Sequence, residues 1–309
     1  MAEWLYEAGI GEDRAILVED SAIIEAQIEL PGWRAGTIAE ARLTSILIPG
    51  KRGIATLADG AEVLVEPLAK ATEGAAIRIE IVREAVPEPG AVKRAKGRMT
   101  DGDCVLGPDL AARIGPHRIV SIHEADLFEQ AGWSECLEEA ADLTVGFAEG
   151  RLRISLTPAM TLIDVDGAIP PEPLALAGAT AAAQTIRRFG LAGNIGIDLP
   201  TVAGRTARQG IAVAFDAELP LPFERTAVNG FGFLQIVRPR VRASLCELLR
   251  QDRAGSQARA LMRQAERSGP IGAREIKAAS AVANVFDKHP QWIVALSATI
   301  GGQVTIKRS

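Results

Sequence analysis

Cysteine is scarce in this 309-residue chain: Cys104, Cys136 and Cys246 are far apart and odd in number, which argues against a disulfide framework and against a zinc site within one chain. The three histidines, His117, His123 and His289, lack metal-ligand spacing. No serine or cysteine stands in a nucleophile-elbow context, so hydrolysis through a covalent triad is not expected. GFGFLQ (230–235) lacks the third glycine of a dinucleotide fingerprint. No apolar run approaches the roughly 18 residues of a membrane span, and MAEWLYEAGIGEDR has neither the basic nor the apolar region of a leader. The expectation is a cytoplasmic protein that does not enter a membrane. Internal repeats and low-complexity tracts are missing as well.

What remains is a chain that is 48% apolar, enough for real cores and about two domains. Its net charge of -5 argues mildly against coating nucleic acid through bulk charge. Charge is unevenly spread, however: residues 187–267 hold thirteen arginines against seven acids. A local phosphate-binding face is compatible with the acidic total.

The runs DRAILVED and AIIEAQIEL, split by Asp20-Ser21, predict a β-hairpin. ARLTSILI (41–48), GIATLA (53–58), AEVLVEPL (61–68) and AIRIEIVRE (76–84), separated by turn residues, suggest a small barrel of oligonucleotide-binding type. Residues 86–100 read as an exposed linker with a basic cluster at Lys93, Arg94, Lys96 and Arg98. A short helix at PDLAARIG, a strand at HRIVSIH and helical spacing through ADLFEQAGWSECLEEAADL follow.

EGRLRISLTPAMTLIDVDG reads as a hairpin, IPPEP (169–173) as a loop, and LALAGATAAAQTIRRFG as an Ala-rich helix closed by Gly190. GNIGIDLP (193–200) is then a strand parallel to MTLIDVDGA (160–168), delivering Asp164, Asp166 and Asp198 to one sheet edge. Carboxylates about 4 Å apart repel by roughly 4 kcal/mol at an effective dielectric near 20, so a pair that meets there should share a divalent cation. TVAGRTARQGIAVAFDAEL reads as a second helix. Arg238, Arg240 and Arg242 alternate after it and share a face if the backbone is extended, a row suited to phosphates. Near the end, GSQARALMRQAERSG and AREIKAASAVANVFDKH read as helices, and QWIVALSA and GQVTIKR as paired strands around Gly301-Gly302.

The order and spacing of these segments resemble a shortened, divergent member of the ribonuclease E/G family of bacterial endoribonucleases. The likeness is strongest over residues 151–243. There IDVDG and IGIDLP are similar to the family's two metal-binding acid strands, and NGFGFLQIVRPR to the strand that follows them. It extends to EDRAILVEDSAIIEAQIELPGW, to the barrel segment and to PQWIVALSATIGGQVTIKR.

The resemblance implies an α/β (α+β mix) fold. Its parts would be an N-terminal hairpin (1–34, part of a reduced ribonuclease H-like subdomain), a small S1-type β-barrel (35–86), a shortened linker or ribonuclease H-like remnant (87–150), a deoxyribonuclease I-like αβ catalytic subdomain (151–250) and a small αβ C-terminal domain (251–309). It implies Mg²⁺, with Mn²⁺ as a substitute, held by Asp164 and Asp198, and cleavage of single-stranded RNA leaving a 5′-phosphate. RNA contacts are expected from Arg83, Arg238, Arg240, Arg242, Lys93 and Arg94.

Asp166 stands where the family has Asn; it is either a third ligand or a residue that repels the phosphate. The family's base-stacking phenylalanines align near Thr56 and Val65, and neither can stack. LCELLRQDRAG replaces the Cys-x-x-Cys pair, so no zinc-linked dimer is expected and a homodimer would use the C-terminal domain. The expectation from a different class is a non-catalytic RNA-binding or scaffold protein that keeps the fold.

Overall fold

The computed structural model describes residues 1–68, 71–88, 90–269 and 271–309, with the side chain of Ala91 left out. Three apolar clusters organise it. The largest joins an N-terminal sheet to a six-stranded central sheet through a layer of helices, the second fills a barrel, and the third lies in the C-terminal unit.

Strands β1 (Glu3–Ala8), β2 (Asp13–Glu19) and β3 (Ala22–Glu29) form the N-terminal sheet. The β2–β3 turn is the expected one: Asp20 and Ser21 take φ of 49° and 64°, the left-handed pair that matches hairpin twist. Strands β4 (Ile38–Ile48), β5 (Arg52–Thr56), β6 (Glu62–Val65) and β7 (Ala76–Arg83) build the barrel wall. A small hairpin of β8 (Val86–Glu88) and β9 (Ala91–Lys93) leads to β10 (Ala95–Met99), which pairs with both β6 and β7 and closes a five-stranded barrel. Residues 86–100 are therefore not a linker. Alternation in AKGRM buries Ala95 and Gly97 toward the barrel interior and turns Arg98 outward, a short strand signal that the basic residues obscured.

The connecting segment contains α1 (Leu110–Ile114), β11 (Arg118–Ile119), which adds to the N-terminal sheet beside β1, α2 (Leu127–Gln130) and α3 (Trp133–Asp142). The central sheet follows, with β12 (Thr144–Phe147), β13 (Gly150–Leu156), β14 (Thr161–Gly167), α4 (Pro171–Phe189), β15 (Gly193–Asp198), α5 (Arg205–Glu218), β16 (Glu224–Arg225) and β17 (Phe233–Arg238). Its strand order is β12-β13-β14-β15-β17-β16, and β14 and β15 are parallel.

Prolines in 170–173 do not make a loop. Pro171 starts α4, where a missing N–H costs nothing. Ala175, Ala179, Ala182 and Ala183 of α4 are fully buried, and the helix lies between β3 on one side and β13 and β14 on the other. Gly178 makes the approach possible: a Cβ there would meet Val165 Cγ1 at 2.4 Å. Because α4 covers one face of the central sheet, alternate residues of β13, β14, β15 and β17 look out from the other.

After α6 (Leu245–Gln251), whose buried residues belong to the largest cluster, the C-terminal unit consists of α7 (Arg253–Arg267), β18 (Arg274–Ala278), α8 (Ser280–Lys288), α9 (Pro290–Ile300) and β19 (Val304–Arg308). Two expectations fail here. AREIKAASAVANVFDKH is a strand followed by a helix, and QWIVALSA is helical, so β19 pairs in parallel with β18. In α9 the buried residues Leu296 and Ile300 are four apart, Pro290 occupies the first turn and Gly301 caps the end at φ 61°. A short apolar run such as WIVAL does not by itself distinguish helix from strand.

Helix α7 docks this unit on the N-terminal sheet through a buried ion network. Glu7 meets Arg14 at 2.5 Å, Arg263 at 2.9 Å and Arg267 at 2.7 Å; Glu12 meets Arg14 at 2.7 Å and Arg259 at 2.8 Å; Arg263 also reaches Asp126 at 2.6 Å. Burial pushes the Glu7 carboxyl up, but Arg14 and Arg263 outweigh it and hold the group below its usual 4.5. No helix among the described residues is long and apolar enough to cross a membrane.

Candidate metal centre and its surroundings

Residues in register on neighbouring strands share a face. Arg153 pairs with Asp164, Asp164 with Asp198 and Asp198 with Phe233, so these four form one row across β13, β14, β15 and β17 on the uncovered side of the sheet. Adjacent strands lie about 4.8 Å apart, which brings the two carboxylates side by side at the carboxyl ends of parallel strands. Asp164 and Asp198 are exposed, and among the described residues neither has a hydrogen bond or an ion pair. Ile163, Val165, Ile195 and Ile197, buried on the other face, hold them there.

Asp166 lies on the same face, in register with Arg151. Its Oδ2 is 3.2 Å from Arg153 Nε and 3.7 Å from Arg151 Nε. Two guanidiniums thus draw it toward β13. Among the described residues no three His, Cys, Asp or Glu side chains come together as a metal cluster. A divalent ion at Asp164 and Asp198 would rest on two protein carboxylates and complete its shell with water, as Mg²⁺ commonly does.

The loop after α5 frames the row. Asn229 Oδ1 accepts from the backbone N–H of Phe231 at 2.9 Å and of Phe233 at 3.0 Å, and Thr201 Oγ1 donates to the Phe231 carbonyl at 3.2 Å. Phe231 is held 84% exposed, while Phe233 crosses over Gly196, where a Cβ would meet the ring at 2.4 Å. Sequence reasoning missed Arg151, Arg153 and this aromatic edge. The alternation of RLRIS carried the signal for the two arginines, but only strand pairing shows that they stand next to the acids.

The expected RNA-contacting arginines do not form one row. Pro239 ends β17, and the chain turns there. Arg238 and Arg242 line one cavity of about 340 Å³, whereas Arg240 lines another of about 650 Å³ and is bound to Glu247. Neither cavity includes the acid pair. Arg83 donates from Nη2 to the Arg94 carbonyl at 2.5 Å, and its charged form is disfavoured by burial first and by Arg240 second.

The basic cluster beside the barrel is matched charge for charge. Lys93 lies 3.3 Å from Glu88, Arg94 2.6 Å from Glu62, Lys96 3.2 Å from Glu66 and Arg98 2.7 Å from Glu80. The two positions aligned with base-stacking residues are on opposite sides of the barrel wall. Val65 is fully buried inside, and Thr56 is outside with its hydroxyl 3.2 Å from that of Thr44. No family model matches this chain, and no curated protein matches it.

Proposed function

We propose that the protein is a divalent-metal endoribonuclease acting on single-stranded RNA, a reduced relative of the ribonuclease E/G family. One observation carries this reading: Asp164 and Asp198 are register partners on adjacent parallel strands, exposed and without an ion pair among the described residues. Paired carboxylates that make no ion pair among the described residues are hard oxygen donors, and their chemistry fits Mg²⁺ or Mn²⁺. When bound, such an ion supplies Lewis-acid polarisation of a phosphate oxygen and activation of water. The chain's own part is to hold and orient. Asp164 and Asp198 fix the cation on a rigid sheet, Arg151 and Arg153 offer guanidiniums to the neighbouring phosphates, and Phe231 offers a ring to an unpaired base.

In this reading the five-stranded barrel is of S1 type, the central sheet with α4 and α5 is the deoxyribonuclease I-like catalytic part, and the N-terminal sheet is the ribonuclease H-like remnant. The uncovered face suits a polymer better than a closed pocket would.

A second reading is a non-catalytic RNA-binding or scaffold protein. It is favoured by Asp166, whose arginine partners leave only two acids for a metal. Cleavage of a fluorogenic single-stranded RNA with Mg²⁺ separates the two. The nuclease reading expects cleavage by the wild type and at least a hundredfold loss in Asp198→Asn. Equal cleavage by both proteins would refute the metal pair, and RNA binding without cleavage by either would favour the scaffold.

A further inference from the structure

A second cluster of charge lies at the far end of the central sheet and on its other face. Arg238 is in register with Gly193, five residues before Asp198 on β15, about 17 Å away along the strand. With Arg187 at the end of α4 and Arg242 beyond Pro239, it lines the cavity of about 340 Å³, whose accessible apolar wall includes Val241 and Leu248. Glu25 is the acid in that lining, so three guanidiniums face one carboxylate.

Partners within the chain leave this charge poorly matched. Arg187 Nε is 2.9 Å from Glu25. Arg242 Nε is 3.9 Å from Glu84 and, though buried, makes no hydrogen bond among the described residues. Arg238 donates to the Leu191 carbonyl at 3.3 Å and has no ion pair among the described residues. Burial disfavours the charged form of Arg238, with Glu25 opposing that effect and Arg187 adding to it. Burial does the same to Arg242, and Arg113 adds to it. By contrast, the half-buried Arg188 meets Glu139 at 2.7 Å.

We propose that this cavity binds a small phosphorylated molecule, its phosphate held by Arg187, Arg238 and Arg242 and its organic part against Val241 and Leu248. Guanidinium forks match phosphate oxygens, and a cavity of this size takes a phosphate with a small carbon skeleton. The site is spatially separate from the acid pair, on the other face of the sheet and about 17 Å along it.

Titration of the full-length protein with ribose 5-phosphate and with inorganic phosphate, followed by calorimetry against chloride of equal ionic strength, tests this. Binding by the wild type is expected, with Arg238→Gln and Arg242→Gln each weakening it at least tenfold, Arg238→Lys restoring part of it and Lys277→Gln leaving it unchanged. Should Arg238→Gln fail to fold, Arg242→Gln and thermal protection of the wild type by ribose 5-phosphate decide instead. No binding above the chloride control, wild-type affinity in a folded Arg238→Gln or Arg242→Gln variant, or displacement of ribose 5-phosphate by a single-stranded oligonucleotide without a terminal phosphate would overturn the proposal.

Discussion

Glu7 and Asp198 are both acids on sheet strands, and they meet opposite surroundings. Glu7 is buried and touches three arginines, from β2 and α7. Asp198 is exposed and has another carboxylate, Asp164, as its register partner. In the first region Glu7 and Glu12 are each closed by guanidiniums, and the result is a docked C-terminal unit; Glu266, half-buried beside them, makes no ion pair among the described residues and its carboxyl is pushed up to about 7 by burial. In the second the fold sets two carboxylates side by side, and although Arg153 is the register partner of Asp164, neither acid has an ion pair among the described residues. Closed ion pairs dock one part of the molecule on another; the exposed acid pair is left open to a cation that is not part of the chain.

The largest expected effect lies in the matched region. Glu7→Gln leaves Arg14, Arg263 and Arg267 without their shared partner and should cost about 3–5 kcal/mol of stability, read by chemical denaturation. A loss below about 1 kcal/mol would mean that the network does not hold the unit. The same region sets a pH dependence. Because the folded-state pKa of Glu7 lies below its usual 4.5, its stabilisation is present above that value and disappears as pH falls through the folded pKa. Thermal melts from pH 7 to pH 3 should show a drop that Glu7→Gln flattens.

Gly178→Ala drives a methyl group into Val165, behind the acid strand, and should cost about 1–3 kcal/mol. A neutral result would show that α4 can move away from β14 freely. Asp166→Asn releases Arg151 and Arg153 on the exposed face. Stability should change by under about 1 kcal/mol, while binding of short single-stranded RNA should tighten several-fold, measured by fluorescence anisotropy. Weaker binding would instead make Asp166 part of the metal site. The smallest effect belongs to Asp198→Asn without divalent ions: removing one of two neighbouring charges should raise stability slightly, by under about 1 kcal/mol.

Much of this contrast is legible in the sequence where the pattern is local. The β2–β3 hairpin, barrel strands β4 to β7, the Ala-rich helix and the two acid strands all follow from alternation, turn residues and helix ends, whereas β10, which closes the barrel, is hidden by its basic residues; the Asp164 and Asp198 pairing follows from a strand, a helix and a parallel strand. The misread elements are those in which a local signal points two ways. WIVAL in α9 has strand-like residues but a proline start and a glycine end, and REIKA in β18 adjoins a helix with no break in composition. What local pattern does not carry is who neutralises whom. Nothing near Glu7 in sequence announces Arg263, 256 residues away, and RLRIS does not announce that its arginines face Asp166. Those partnerships arise from packing between distant segments, and they decide which charges are structural.

The most direct test of the unmatched pair is a count of bound Mn²⁺ by electron paramagnetic resonance on the wild type, Asp164→Asn and Asp198→Asn. One ion per chain is expected in the wild type, displaced by excess Mg²⁺, and none in either variant. Absence of Mn²⁺ binding by the wild type, or binding that survives both substitutions unchanged, would contradict this.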